Sequence, residues 1–553
     1  MKTGAQKLLL ALVCLGMMTL FIPSHSSAFP PIKLGEETDV TFYGFLRNNV
    51  GMFLDNPQPF AENSNDLATA RTWFRGYTDF KITNELRFWS AIQFVGEPRY
   101  PIEHNAGGSF RTPIDPANLK DGKEYSEYRN INDILRECLI EWKPSKQHTF
   151  KIGRQIAIWG EALTSRVGDV VQPEDQRFTL AFANLEDTRI PQWMVRAIHD
   201  IPALSSSFEW IANPNLVQNK YSVNRFAHFI APGEIGQRFS LFPETRFDPP
   251  LSVNNMLFGI PFPNPNIVVP HPFSRDWAPF GPGGTFVPLA LPAVRVEYPS
   301  GWDSFRGGFR TNTTIAGYNF GLSYFHTQNY DPVIKREGLT GKILIPGPQP
   351  VGERVYTLVY PNIDIIGFYL NKQLPWPGVI RADAIYVPNK PFNTFDKAGV
   401  LPDPITPLND AIVRRDYIKY MIAYDLNGFL YFPWHKTAPF DITFEHVGEI
   451  IPDNHNIQYI NYSTEVRKWN PQFNMRISTN WRYNQISTEL IVGYIPWGNS
   501  GLIMPTIKYV PPVLNNQLSF ELKYIDVFGK SHFKGLGILQ TKDMIVLTTQ
   551  LNW

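Results

Sequence analysis

The sequence predicts an all-β fold: a single large antiparallel transmembrane β-barrel of about 18 strands, with short periplasmic turns and long extracellular loops. Three observations carry that expectation. Apolar and polar residues alternate in segments of about ten residues. Short and long connections between those segments alternate as well. An N-terminal export signal is followed by no apolar run long enough for a membrane-spanning helix.

The alternation is clearest in three places. In "TFKIGRQIAIWGEAL", Phe150, Ile152, Ile156 and Ile158 share one face, while Lys151, Gly153, Gln155 and Trp159 share the other. Arg154 falls on the apolar side. In residues 85–96, Leu86, Phe88, Ile92 and Phe94 oppose Glu85, Arg87, Ala91 and Gln93. At the end of the chain, Ile545, Leu547, Thr549, Leu551 and Trp553 oppose Met544, Val546, Thr548, Gln550 and Asn552. Strands are expected at 39–54, 70–82, 85–96, 133–143, 148–159, 190–200, 205–213, 303–314, 317–327, 362–373, 376–388, 415–428, 439–449, 471–481, 485–495, 502–510, 516–527 and 543–553. That makes 18, or 16 if one weak pair is loop.

The connections sort by length. "KITN", "KPSKQH", "DIPALS", "TIAGY", "LPWPG", "WRYNQ" and "PPVLNN" are turn-like, whereas 97–132, 160–189, 214–302, 328–362, 388–414 and 450–470 are long. Tight turns at one barrel end and long loops at the other account for this; a soluble sandwich has no reason to sort its loops this way.

Lys2 and Lys7 precede an apolar core from Leu8 to Ile22, and Ser26-Ser27-Ala28 has the small-x-small pattern of a cleavage site after Ala28. Residues 1–28 therefore read as a cleaved signal peptide and 29–553 as the barrel. The two cysteines, Cys14 and Cys138, allow no disulfide framework, Cys-rich metal site or attached haem. Net charge is +1, which gives no reason to expect a nucleic-acid partner. Trp553, a terminal aromatic on an amphipathic last strand, resembles the signal read by the barrel-assembly machinery of Gram-negative bacteria.

Residues 214–302 hold 15 of the 48 prolines. Proline cannot donate to a sheet ladder, so this stretch is not expected in the barrel wall. Its many apolar residues, Phe258, Ile260, Phe262 and Trp277 among them, suit an ordered insertion that folds into the barrel or over its mouth.

No catalytic, cofactor-binding or metal-binding pattern is present, and no enzyme activity is expected. His326 on a strand edge is the one residue worth testing for lipid-cleaving chemistry. Charged residues on strands are the better lead. Arg71, Arg75, Asp79 and Lys81 share one face, as do Glu85 and Arg87; Glu137 and Glu141 share another, with Arg136 opposite. In a barrel such faces line the interior, where mixed charges set selectivity or lock the interior by pairing.

The run "KIGRQIAIWGEAL" followed by "GDVVQPEDQ" resembles bacterial outer-membrane proteins grouped as domain-of-unknown-function family 1302, whose members carry a GRQ-x-x-x-WGE strand and a later NP-x-D-like element. The matching residues are Gly153, Arg154, Gln155, Trp159, Gly160 and Glu161, then Gln172, Pro173, Glu174 and Asp175. Gln stands for the usual Asn, with one residue more before Asp175. GRQ alone is also similar to alginate-export barrels. The resemblance implies a barrel linked to export or uptake of hydrophobic organic compounds beside efflux-type transporters.

An arginine on the lipid face at mid-depth would cost about 2–4 kcal/mol. Gly153 can permit a bulge that turns Arg154 inward, to pair with Glu161, Glu174 or Asp175 and anchor the 160–189 loop inside the barrel. Arg154→Ala is then expected to raise conductance. Together with Arg71, Arg75, Asp79, Arg87 and Gln155, these residues are the expected constriction. The function expected is passage of small-molecule solutes through a loop-restricted barrel of the bacterial outer membrane, in contact with its lipid. The alternative is a non-conducting barrel serving as a surface scaffold or as partner of an inner-membrane or periplasmic export component.

Overall fold

The computed structural model describes residues 30–54, 67–96, 131–161, 166–174, 185–214, 277–279, 286–288, 290–297, 299–330, 333–345, 351–394, 412–432, 435–454, 457–458, 468–529 and 543–553. Eighteen strands build the wall: Asp39–Phe53 (β1), Thr72–Lys81 (β2), Leu86–Gly96 (β3), Leu135–Ser145 (β4), His148–Gln155 (β5), Gln192–Ile201 (β6), Ser206–Asn213 (β7), Arg306–Ile315 (β8), Tyr318–Gln328 (β9), Asn362–Gln373 (β10), Val379–Thr394 (β11), Ile412–Phe432 (β12), His435–Ile450 (β13), Trp469–Trp481 (β14), Ile486–Ile495 (β15), Ser500–Tyr509 (β16), Leu518–Phe528 (β17) and Met544–Asn552 (β18). Each pairs antiparallel with the next, and β18 returns to β1 with Phe45 opposite Asn552 and Phe53 opposite Met544. Closure removes the edges that an open sheet would leave unpaired in lipid.

Trp553 completes that seam. Its N–H donates to the Gly44 carbonyl and its carbonyl accepts from the Gly44 N–H, both at 3.1 Å. Its ring stacks on Phe74 at 5.3 Å, and a Cβ on Gly44 would sit 2.7 Å from the indole. The last residue thus closes the barrel on its first strand.

The two faces differ as alternation requires. Phe42, Phe74, Ile92, Ile152, Trp193, Trp210, Leu322, Ile366, Ile422, Phe444 and Leu522 are exposed on the outside. Arg75, Gln93, Glu209, Asp383, Asp425 and Glu445 are buried on the inside. One end carries short turns. The Ala316–Gly317 turn has positive φ at both positions, the geometry that matches strand twist in a two-residue hairpin. The other end carries the long loops, apart from the short turn Pro496–Gly498 between β15 and β16.

Every segment marked by alternation is a wall strand, with boundary corrections at several; the strand expected over 376–388 spans Val379–Thr394, six residues into the connection expected over 388–414. The strand expected over 148–159 ends at Gln155, because residues 156–161 leave the wall for the interior. The strands expected at 415–428 and 439–449 run on to Phe432 and back to His435. Phe429, Leu430, Tyr431 and Phe432 are consecutive large apolar or aromatic residues, so the alternation has no period to read there. The connection expected over 328–362 is not simple loop. Val333–Ile345 and Val351–Val359 form an antiparallel pair, and Ala290–Glu297 lies parallel to the second strand. Ala290–Glu297 is an edge of that three-stranded sheet, which is where Pro292 can be accommodated. Residues 215–276, and with them whether the Pro-rich insertion enters the lumen or covers the mouth, lie outside the described residues.

Candidate functional site: a loop fastened across the lumen

The segment between β5 and β6 folds into the barrel. Its root is Gly153, at φ +138°, where a Cβ would lie 2.1 Å from the Cys138 carbonyl oxygen of β4. Only glycine fits there. Beyond it the alternation breaks: Ile152 is exposed, yet both Arg154 and Gln155 are buried. Gln155 is a structural clamp, its Nε2 donating to the carbonyls of Lys151 and Met194, each at 3.2 Å. Trp159 is then driven into the interior against Phe325, edge-on at 5.5 Å. Ala157, Trp159, Val170 and Val171 pack on Met194, Ile211, Phe325, Ile363, Ile365 and Ile385 from the inner wall. Truncating a buried indole of this kind costs about 3–5 kcal/mol. Nearby, Val167 packs on Met421, Ala423 and Val447.

Polar hooks fix the loop at two places. On β11, Asp383 Oδ2 accepts the Glu161 N–H at 2.9 Å and the Gly168 N–H at 3.2 Å. A Cβ on Gly168 would lie 2.4 Å from Asp383 Oδ1, so the carboxylate needs a glycine beneath it. Arg381 donates to the Glu161 carbonyl and is itself held by Asp425 at 2.5 Å, with Glu445 at 3.6 Å. At the other end, Asp187 reaches Arg47 of β1 at 2.7 Å and Arg75 of β2 at 2.9 Å. Burial works against the Asp187 charge, but Arg47, Arg75 and Arg136 outweigh it and hold the carboxyl down at about 2. Between the hooks the loop ties to itself: Asp169 takes Arg189 at 2.6 Å and Arg166 at 3.3 Å, and Arg166 also takes Glu174 at 2.9 Å. In an 18-strand ring, β1–β2 and β11–β13 are nearly opposite walls, so the loop spans the lumen.

Charge is distributed unevenly around this span. Arg71, Arg75 and Arg47 crowd β1–β2, and on β6–β8 Arg196 and Arg310 share the single Glu209, at 2.7 and 2.8 Å. On β11–β13, Arg381 is surrounded by Asp383, Asp425 and Glu445.

Of the expected constriction residues, the fold gathers Arg75, Glu161 and Glu174 at the loop. Arg71 is buried with its guanidinium 4.8 Å from the Trp73 ring. Asp79 and Arg87 pair with each other at 2.5 Å toward the short-turn end, away from the loop. Glu161 meets Asp383 and Arg381 through its backbone N–H and carbonyl, and the Glu174 carboxylate goes to Arg166. Asp175 and Ala28 lie outside the described residues. Arg136 is expected on the face opposite Glu137 and Glu141. Instead, a register shift between Ala91 and Ile92 lets it turn inward, where it approaches the Arg189 carbonyl at 3.5 Å. His326 pairs with Asp364 at 2.8 Å, and Tyr324 donates to the same carboxylate at 2.7 Å, on the face shared with exposed Leu322 and Ile366. The site residues not foreseen are Arg47, Asp187, Glu209, Arg310, Arg381 and Asp383. Arg381 and Asp383 carry the same signal as Arg71–Lys81, charges alternating with Ile380, Ala382 and Ala384. Asp187 sits in a loop with no period to mark it.

Among solved structures, the fold is similar to that of Pseudomonas aeruginosa OccK9 (OpdG), with 8% identity, a TM-score of 0.42 and coverage of 93% of this chain and 97% of that one. Acinetobacter baumannii OccAB4 gives 7% identity and TM-score 0.42, covering 94% and 100%. A BenF-like porin from Pseudomonas fluorescens Pf-5 gives 8% and 0.41, covering 93% and 98%. No curated protein matches the sequence. A family model described as protein of unknown function (DUF1302) matches residues 141–551, which include the Gly153 root, both hooks on β11 and the whole of the crossing loop. By that match, the chain belongs to the DUF1302 family.

Proposed function

We propose that the protein is a porin-like channel of the bacterial outer membrane that passes small solutes through a lumen narrowed by the 156–191 loop. One observation carries this reading. The loop is fastened to nearly opposite walls, by Asp187 at Arg47 and Arg75 and by Asp383 at Glu161 and Gly168, so anything crossing the barrel must pass beside it. The wall charges add a second element. Cation-rich β1–β2 stands nearly opposite carboxylate-rich β11–β13, with Arg196 and Arg310 on the wall between them, a transverse field that orients dipolar solutes and favours some charges over others. Hydrophobic organic compounds with a polar end are the cargo that family resemblance and this mixed lining favour. Arg154 belongs to the loop root on this reading, since it is buried immediately after Gly153. Trp553, which closes the seam, is the residue the barrel-assembly machinery would read.

The alternative is a non-conducting barrel that serves as a scaffold or as partner of an export system. It is favoured by the apolar cluster that joins the loop to β6–β13, which fills part of the lumen. Single-channel recording of the refolded full chain in a planar bilayer separates the two. A steady ohmic current supports the channel. Correctly folded, heat-modifiable protein that carries no current supports the plugged scaffold.

A further inference from the structure

On the short-turn side of the Asp187 hook, the inner wall carries a row of aromatic rings. Tyr43 of β1 stands opposite Tyr77 of β2, and Trp89 of β3 stands opposite Asp79, two residues on from Tyr77. All three share the strand face of buried Arg75, so they point into the lumen. The Tyr43 and Tyr77 rings stack at 4.8 Å and 15°. Trp89 lies 5.7 Å from Tyr77, and its Nε1 donates to the Tyr43 hydroxyl at 3.4 Å. The row stays open: Tyr43 is 38% exposed, and Tyr77 and Trp89 are half-buried. Elsewhere on the inner face large apolar side chains are covered, Phe325, Met421 and Leu502 completely. The interior of such a barrel is ordinarily polar, so flat aromatic surface left open there points to something that covers it.

Beside the row stands a cation with a free edge. Arg87 is on the same face of β3, two residues from Trp89 toward the turn. Its Nε and Nη2 both donate to Asp79, the first at 2.5 Å. Neither bond uses Nη1, and 47% of the side chain is exposed. Two residues along a strand rise about 6.6 Å. That matches the reach from the centre of an aromatic ring, through its attached carboxylate, to a guanidinium that binds it. Charge agrees. From Asp79 to the short turns, the inner faces of β1–β5 hold four cations, Lys81, Arg87, Lys143 and Lys151, and three carboxylates, Asp39, Asp79 and Glu141. One carboxylate brought to Arg87 completes the balance.

We propose that the Tyr43–Tyr77–Trp89 row and Arg87 form a docking site for an aromatic carboxylate on the short-turn side of the crossing loop. The ring of the solute lies on the open faces of Tyr43 and Trp89, and its carboxylate accepts from the free Nη1 of Arg87. The inference rests on the channel reading, since it names the class of solute that the lumen takes: a planar ring with one negative charge. A saturated ring with the same charge satisfies Arg87 and not the row. A neutral aromatic ring satisfies the row and not Arg87.

The test uses the full chain refolded in a planar bilayer, with phenylacetate, cyclohexylacetate and 2-phenylethanol as probes. Phenylacetate should interrupt the current at concentrations about threefold to tenfold lower than cyclohexylacetate, the range that one aromatic pair contributes. It should also act at lower concentration than 2-phenylethanol. The ratio of block by the two acids cancels any change in the open current, so it is the readout for variants. Tyr43→Leu and Trp89→Leu should each lower that ratio toward one, and Tyr43→Phe should keep it. Arg87→Gln should remove the advantage of phenylacetate over 2-phenylethanol. Equal block by the two acids in wild type overturns the proposal, as does a ratio unchanged in both leucine variants. A folded barrel that carries no current is titrated calorimetrically with the same two acids. Tighter binding of phenylacetate then keeps the site and overturns the channel; equal binding overturns both. The wild-type comparison decides even if no variant folds.

Discussion

The two walls that hold the crossing loop use similar residues in opposite ways. At β1–β2 the wall provides the cations, Arg47 and Arg75, and the loop provides the carboxylate, Asp187. At β11–β13 the wall provides the carboxylate, Asp383, and the loop offers only the backbone N–H groups of Glu161 and Gly168. The first attachment is a charge pair, open to salt and acid. The second is a hydrogen-bonded cradle whose geometry depends on a glycine at 168. A loop fastened by two chemically different attachments can be released at one end while the other holds.

The largest effect is expected from the cradle. Asp383→Ala removes two charge-assisted hydrogen bonds, each contributing about 1.5–3 kcal/mol, and leaves Arg381 paired to Asp425. Single-channel conductance should rise severalfold as the loop swings from β11. Conductance equal to wild type would mean that the apolar cluster around Trp159 alone sets the opening. Asp187→Asn should have the next largest effect. It leaves Arg47 and Arg75 without their shared carboxylate, so reversal potentials in a salt gradient should move toward anions. The shift should shrink as ionic strength rises, because screening acts within about 10 Å at 0.1 M. A shift independent of salt would break the contrast between the two walls.

Acid should reproduce the Asp187 variant without a mutation. The carboxyl is held at about 2, below its ordinary value of 3.8. Its contribution is therefore complete above 3.8 and is lost as pH falls from there through about 2. The wild type should lose the Asp187 contribution to selectivity between pH 3.8 and about 2, and Asp187→Asn should lack that transition. A wild-type profile identical to that of Asp187→Asn across that range would remove Asp187 from the gate. The smallest effect is expected at Arg310→Gln. Glu209 keeps Arg196 at 2.7 Å, so the loop should stay in place and anion preference should fall only slightly, read from the same reversal potentials.

The wall is legible in the sequence because a strand facing lipid on one side and charge on the other has period two, and most stretches of the wall are of that kind. The Gly153–Glu161 motif is legible as a point of departure from that period. The path of the loop beyond Glu161 is not. Arg154 stands out in "GRQ", but the residues that fasten the loop, Asp187 and Asp383, are brought together with their partners by tertiary folding across more than a hundred positions. The inward apolar patch of Ile363, Ile365 and Phe325 is hidden for a different reason. A wall strand that packs on a loop is apolar on both faces, and alternation is silent there. Alternation puts Arg136 on the wrong face because one bulge between β3 and β4 reverses every expectation beyond it.

The central claim is that the crossing loop limits an open lumen and that Asp383 holds it there. Its most direct test is single-channel conductance of wild type and Asp383→Ala, refolded and recorded side by side at one salt concentration. The account predicts a steady current in both, markedly larger in the variant. Identical currents, or silence from two correctly folded barrels, would contradict it.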